Sequence, residues 1–151
     1  QYAAIILAAA GLKRLGLSDR ITALLSPEQS LPAVGQGALG IECRADRTDL
    51  VTMMQPLHHP ETAYCVEAER AKSRILGGSC QVPLGAFAEI IDDTLQLRGF
   101  VSQPDGTRIV NAALSGNPEA GIKMGEKLAH QLIQQGADEI LASLVHAEGW
   151  K

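Results

Sequence analysis

Aromatic side chains are almost missing from this sequence: its 151 residues include two Tyr, two Phe and one Trp. So few rings offer no platform on which nucleic-acid bases could stack. Positive charge is also short, with 13 Lys and Arg against 17 Asp and Glu and a net charge of −4. That balance excludes a binder whose affinity comes from neutralising phosphates. No apolar run has the length of a bilayer span or the make-up of a signal peptide. Neither nucleic acid nor membrane is therefore expected as a partner, and the chain reads as cytoplasmic. Cysteine is sparse and odd in number: Cys43, Cys65 and Cys80 lie more than a dozen residues apart, which suits neither a disulfide framework nor paired metal knuckles. Reduced thiols are expected. His58, His59 and Cys65 have no second ligand pair at suitable spacing, so no metal is expected. An initiator Met is absent as well. The chain opens directly into the apolar residues 5–7, which read as a strand buried between neighbours, and this suggests the C-terminal part of a longer polypeptide.

What is present is ordinary globular composition, 46% hydrophobic and 20% charged, enough for a sizeable core. Beyond residues 5–7, the apolar positions Leu12, Leu15, Ile21, Leu24 and Leu25 partly follow a helical period up to Ser26-Pro27. Residues 31–43 are rich in Gly and read as a linker that becomes a strand. A short helix is expected near 50–55. Pro60 and Glu61 open a helix running to about Leu76, which Gly77-Gly78 stops. Three antiparallel strands follow, over 86–91, 94–102 and 107–115. The alternation of Leu95, Leu97, Gly99 and Val101 with Thr94, Gln96 and Arg98 gives one core face. Asn117-Pro118-Glu119 caps a further helix, with Ile122, Gly125, Leu128, Ala129, Leu132 and Ile133 on its apolar stripe, and a last helix is expected over 138–145. The sum is an α+β unit, a three-stranded antiparallel sheet with helices, self-sufficient from about residue 58. The residues before it lack such closure, which places a domain boundary near 55–59.

Several strings could carry chemistry. Gly35-Gln36-Gly37-Ala38-Leu39-Gly40 is a literal GxGxxG, but Pro32 precedes it and an extended segment follows where a dinucleotide site needs a helix. It reads instead as a Gly-rich crossing where the backbone approaches another surface closely. Cys80 lies in Gly77-Gly78-Ser79-Cys80-Gln81-Val82-Pro83, just after a helix bearing Arg70, Lys72 and Arg74; these cations favour a thiolate while the helix C-terminus opposes it, so taken alone Cys80 reads as a structural or incidental thiol, and the cations themselves read as a solvated face. Cys43 and Cys65 read as small core residues. Arg14, in Gly11-Leu12-Lys13-Arg14-Leu15-Gly16, is either a solvated cation or a fork for a carboxylate.

Taken in order, four strings are more specific than any one of them: Ala8-Ala9-Ala10-Gly11-Leu12-Lys13-Arg14-Leu15-Gly16, Leu31-Pro32-Ala33-Val34-Gly35-Gln36-Gly37-Ala38-Leu39-Gly40, Ala68-Glu69-Arg70-Ala71 and Gly77-Gly78-Ser79-Cys80-Gln81-Val82-Pro83-Leu84-Gly85. Together they closely resemble the C-terminal half of the porphobilinogen deaminase (hydroxymethylbilane synthase) family, over essentially the whole chain. The resemblance implies a dipyrromethane cofactor held on Cys80 by a thioether. It further implies that residues 1–36 end a second α/β domain of periplasmic-binding-protein type, 37–57 return to a first such domain, and 58–151 form the α+β third domain. The implied activity belongs to tetrapyrrole and haem biosynthesis: four porphobilinogen molecules condense head to tail into hydroxymethylbilane, each releasing ammonia. Arg14 matches a position that binds substrate carboxylates, while Gln36 and the backbone around Ala8 match cofactor-binding positions in the cleft. The family's catalytic Asp, a flanking Lys and most cleft arginines belong to the N-terminal half, so this chain alone is expected to be inactive and to need that half as partner. Ser79 departs from the Gly frequent at its position. The alternative is a stand-alone α+β interaction module whose Cys80 is an ordinary thiol.

Overall fold

The computed structural model describes residues 2–77 and 83–147, the last three of these as helical backbone only. The described chain forms two compact units, divided between Ser30 and Leu31.

The first unit holds one helix, α1 (Ala9–Arg14), and a 3-10 turn, Ser18–Arg20. The longer helical stretch expected up to Ser26 stops early because Gly16, at φ 71°, closes it. The Gly16 N–H donates to the Lys13 carbonyl at 3.1 Å and the Leu17 N–H to Leu12 at 2.9 Å, the paired bonds of a Schellman ending. Residues 5–7 form no strand, contrary to expectation: Ile5, Ile6 and Leu7 are 72%, 82% and 58% exposed. A strand exists only where a neighbouring backbone supplies its hydrogen bonds, and among the described residues none pairs with this segment.

The second unit starts with an irregular stretch containing a turn at 34–37 and no strand over 31–43, where the sequence predicts a linker that becomes a strand. Spaced glycines, two at positive φ, favour turns over a ladder. Then come α2 (Thr48–Met54) and α3 (Pro60–Ile75). His59 caps α3, its Nδ1 accepting the Thr62 N–H at 3.3 Å, and Pro60 occupies the first turn where an N–H would have no partner. The sheet comprises β1 (Leu84–Ile91), β2 (Thr94–Ser102) and β3 (Ile109–Gly116), antiparallel in the order β1-β2-β3. Asp92 and Asp93, both at positive φ, make the two-residue hairpin turn whose twist matches paired strands. After Asn117, whose Oδ1 accepts the Glu119 N–H at 2.9 Å, come α4 (Gly121–Gln134) and α5 (Ala137–Ala147).

Leu95, Leu97 and Val101 on β2, with Ala86 and Ala88 on β1, are buried against Ala68 and Ala71 of α3, Leu128 and Leu132 of α4, and Ile140 of α5. The α+β class expected from the sequence is borne out, as is the alternation along β2, where every second residue from Leu95 to Val101 is buried. The stripe on α4 is as expected at Gly125, Leu128, Ala129 and Leu132, with Ile133 packed against the core, and departs from expectation at its start. Gly121, Met124 and Gly125 are buried while Ile122 is 44% exposed. The cause is close approach: a Cβ on Gly125 would stand 2.1 Å from the Ala68 carbonyl oxygen, so the small residues, not the nearest large one, face α3. Among the described residues no helix is long and apolar enough to cross a membrane.

Candidate functional site

Residues 78–82, with Cys80 among them, lie outside the described residues, but both flanks of that connection are well defined. On the entering side, α3 ends at the buried Leu76, and Gly77 turns the chain at φ 65° with its N–H on the Arg74 carbonyl at 3.4 Å. On the leaving side, the Pro83 carbonyl accepts the Ser102 N–H at 2.9 Å, and Gly85 pairs with Phe100 in the ladder. Gly85 is required here, because a Cβ would meet the Phe100 ring at 2.4 Å.

Two side chains one turn apart on α3 brace these flanks. The Glu69 carboxylate accepts the Gly35 N–H at 2.6 Å on Oε2 and the Ala88 N–H at 2.8 Å on Oε1, fastening the glycine turn and β1 to one helix. Burial pushes its carboxyl pKa up, while those two N–H donors and Lys72 draw it down. Lys72 is wholly buried. Its Nζ donates to the Gly85 carbonyl at 2.8 Å and to the Phe100 carbonyl at 3.3 Å. Burial pulls its pKa down to about 8, against the opposing field of Glu69.

The expectation that Arg70, Lys72 and Arg74 form a solvated face is therefore corrected for Lys72. Arg70 and Arg74 are exposed, but Lys72 points between helix and sheet, where two backbone carbonyls take the place of water. A Cβ on Gly99 would lie 3.3 Å from the Lys72 Cε, so a bare glycine in β2 leaves the channel through which the stem passes. Gly85 and Gly99, one register step apart in neighbouring strands, were the available signal of such an approach.

The GxGxxG string forms no dinucleotide site: Gly35 and Gly37 lie at φ 70° and 89°, and the turn leads into irregular backbone. The close approach expected there is the bond from the Gly35 N–H to Glu69. Gln36 is exposed on that turn, its Oε1 accepting the Ala33 N–H at 3.3 Å. Ala8 is the N-cap of α1 and Arg14 its last residue, exposed. Ala8 and Arg14 thus belong to the first unit and Gln36 to the second. Cys43 lies in irregular backbone, correcting the strand expected for it, and is half-buried, short of the core position expected of it, whereas Cys65, also half-buried, packs against the core as expected. Burial pushes the Cys65 thiol pKa up, with Glu69, Glu61 and Glu89 adding to it. No group of three or more His, Cys, Asp or Glu that could hold a metal ion occurs among the described residues.

Fold and flanks define an α+β module with a cysteine-bearing connection between a braced helix and a hairpin. Two family models match in tandem: "Porphobilinogen deaminase, dipyromethane cofactor binding domain" over residues 1–52, and "Porphobilinogen deaminase, C-terminal domain" over 63–134. The chain is 65% identical over 144 residues to the porphobilinogen deaminase of Nitrosomonas europaea, covering 95% of this chain and 47% of that one. The identity is 59% over 146 residues with that of Methylobacillus flagellatus, covering 97% and 47%, and 58% over 151 with that of Paraburkholderia phytofirmans, covering 98% and 44%. The chain belongs to the porphobilinogen deaminase family, as its sequence resemblance implies, and it spans about half the length of these relatives.

Proposed function

We propose that this chain is the cofactor-carrying portion of a hydroxymethylbilane synthase, a transferase of tetrapyrrole and haem biosynthesis. The observation that carries the reading is the tandem match to the two family models, in one chain 65% identical to a porphobilinogen deaminase. In this reading the intact enzyme condenses four porphobilinogen molecules into hydroxymethylbilane and releases ammonia. A dipyrromethane on Cys80, when bound, supplies the nucleophilic pyrrole end from which the oligopyrrole grows. Residues 58–151 form its third domain, while 1–36 and 37–57 complete α/β domains contributed mostly by an N-terminal half. That half, in the cytoplasm with this one, supplies the catalytic Asp.

The residues present suit such a group. Its acetate and propionate carboxylates require cations, and exposed Arg70 and Arg74 stand on the last two turns of α3, next to the connection. Arg14 binds carboxylates of substrate as a fork, and Gln36 and the backbone at Ala8 contribute to holding the cofactor. The buried Glu69 and Lys72 orient the flanks. Intact mass and peptide mapping of the full-length protein test this reading. A mass increase equal to one dipyrromethane, mapped to Cys80, is expected. An unmodified Cys80 would favour a stand-alone interaction module with an ordinary thiol.

A further inference from the structure

We propose that Glu69 is a positioning residue for Gln36: by holding the Gly35 N–H, its carboxylate fixes the glycine turn so that the Gln36 side-chain amide is presented as a donor to a carboxylate of the cofactor. The proposal rests on the reading above that Gln36 contributes to holding that group.

Glu69 is only 6% exposed, and burying a carboxylate is costly unless hydrogen bonds replace its water. Its two oxygens take those bonds from two different segments, Oε2 from the Gly35 N–H at 2.6 Å and Oε1 from the Ala88 N–H at 2.8 Å. The turn is thereby tied to the edge of the sheet. It is also closed on itself, since the Gln36 N–H donates to the Ala33 carbonyl at 3.0 Å and the Ala38 N–H to the Gly35 carbonyl at 3.2 Å. Pinning Gly35 therefore pins Gln36, the next residue. Glycines flank Gln36 at φ 70° and 89°, backbone that a side chain would strain.

The same turn decides which way the Gln36 amide faces. The Ala33 N–H requires an acceptor, so the oxygen, Oε1, turns inward to it at 3.3 Å. The NH2, with two donors, is left over and donates to none of the described residues. A carboxylate, which only accepts, is the group such a donor pair suits. A turn freed from Glu69 would carry this donor out of place, and misplacements of about 1 Å are enough to slow a reaction up to about a hundredfold.

The experiment measures kcat/KM for porphobilinogen in the full-length protein, for wild type, Glu69→Met, Gln36→Ala and the double variant, alongside hydrogen exchange at the Gly35 amide. Residues that act through one contact lose it once, whereas independent contributions multiply. Each single change is expected to lower kcat/KM about tenfold or more, and the double variant no further than the worse of the two. The Gly35 amide should exchange faster in Glu69→Met and at the wild-type rate in Gln36→Ala. Gly125→Ala, which loosens the helix crossing without touching the turn, should keep the wild-type kcat/KM below its melting temperature. If Glu69→Met does not fold, Glu69→Gln, which keeps one acceptor, takes its place with a smaller loss. Multiplying losses in the double variant, wild-type protection at Gly35 in Glu69→Met, or an equal loss in Gly125→Ala overturns the positioning role. A wild-type kcat/KM in Gln36→Ala means instead that Gln36 does not hold the cofactor, and this proposal falls with that reading.

Discussion

Glu69 and Lys72 spend their polar atoms on backbone groups from other segments, so changing either alters how far those segments are tied together. Glu69→Gln replaces one acceptor oxygen with an NH2 that faces an N–H donor, at a cost of about 1–3 kcal/mol. A lower melting temperature is expected, with faster hydrogen exchange at the Gly35 or Ala88 amide, both of which donate to Glu69. Wild-type protection at both amides would show that the carboxylate is dispensable. Lys72 predicts a pH dependence. Its pKa falls from 10.5 in the unfolded chain to about 8 in the fold. Between these values the unfolded state binds the extra proton, so Lys72 makes stability rise with pH across that window and withdraws the gain as pH falls through about 8. The full effect is up to about 3 kcal/mol at roughly 1.4 kcal/mol per pH unit. Cys65, its pKa raised from 9.0, acts with the opposite sign nearby. The slope of wild type minus that of Lys72→Met, from denaturant unfolding between pH 7 and about 10.5, therefore isolates the lysine; equal slopes would mean that Lys72 is not depressed.

At the scale of elements, the contact that sets the architecture is α3 against α4, made possible by Gly121 and Gly125. A Cβ at 125 would stand 2.1 Å from the Ala68 carbonyl oxygen and 2.9 Å from the Ala71 Cβ. Gly125→Ala, despite the better helix propensity of alanine, should destabilise by about 1–3 kcal/mol through overpacking, visible as a lower denaturant midpoint; a raised midpoint would mean that the helices separate freely. These elements were unevenly legible in the sequence. β2 was plain because its two faces differ in chemistry, Leu95, Leu97 and Val101 against Thr94, Gln96 and Arg98. The start of α3 was plain because Pro60 and Glu61 signal a first turn. Lys72 was misread because a charged residue on a helix ordinarily belongs to solvent, and its acceptors, Gly85 and Phe100, are backbone atoms that no side-chain pattern reports. Ile122 was misread because hydrophobicity alone does not reveal that glycine is the residue needed at a close crossing. Residues 5–7 and the later part of 31–43 were read as strands from composition, although pairing depends on a neighbour the pattern does not supply. As for the candidate site residues, the motifs around Cys80, Arg14, Gln36 and Ala8 carried the family resemblance, while the bracing by Glu69 and Lys72 emerged only from three-dimensional contacts.

Across the whole molecule, order follows burial. The first unit has no buried residue on α1 and exposes Ile5 and Ile6 by 72% and 82%, whereas the second contains the apolar core from Ala68 to Ile140. Hydrogen exchange on the 151-residue chain should therefore protect α3, the sheet and α4 most strongly and residues 2–30 least, since local opening is easiest where little apolar surface is buried. Equal protection in residues 2–30 would contradict this. The two-residue turn at Asp92 and Asp93 also has a consequence in time. It makes β1 and β2 near neighbours in sequence, and hairpins of this kind close in about 1–10 μs, whereas synthesis adds only about 5–20 residues per second. The hairpin can thus pair on the ribosome seconds before α4 emerges, leaving Leu95, Leu97 and Val101 with only the cover that α3 gives in the interval. The nascent chain then shows a partly bare apolar sheet face, so a chain stalled when β3 has cleared the exit tunnel and α4 has not should cross-link to a chaperone that one stalled with α4 fully emerged no longer engages.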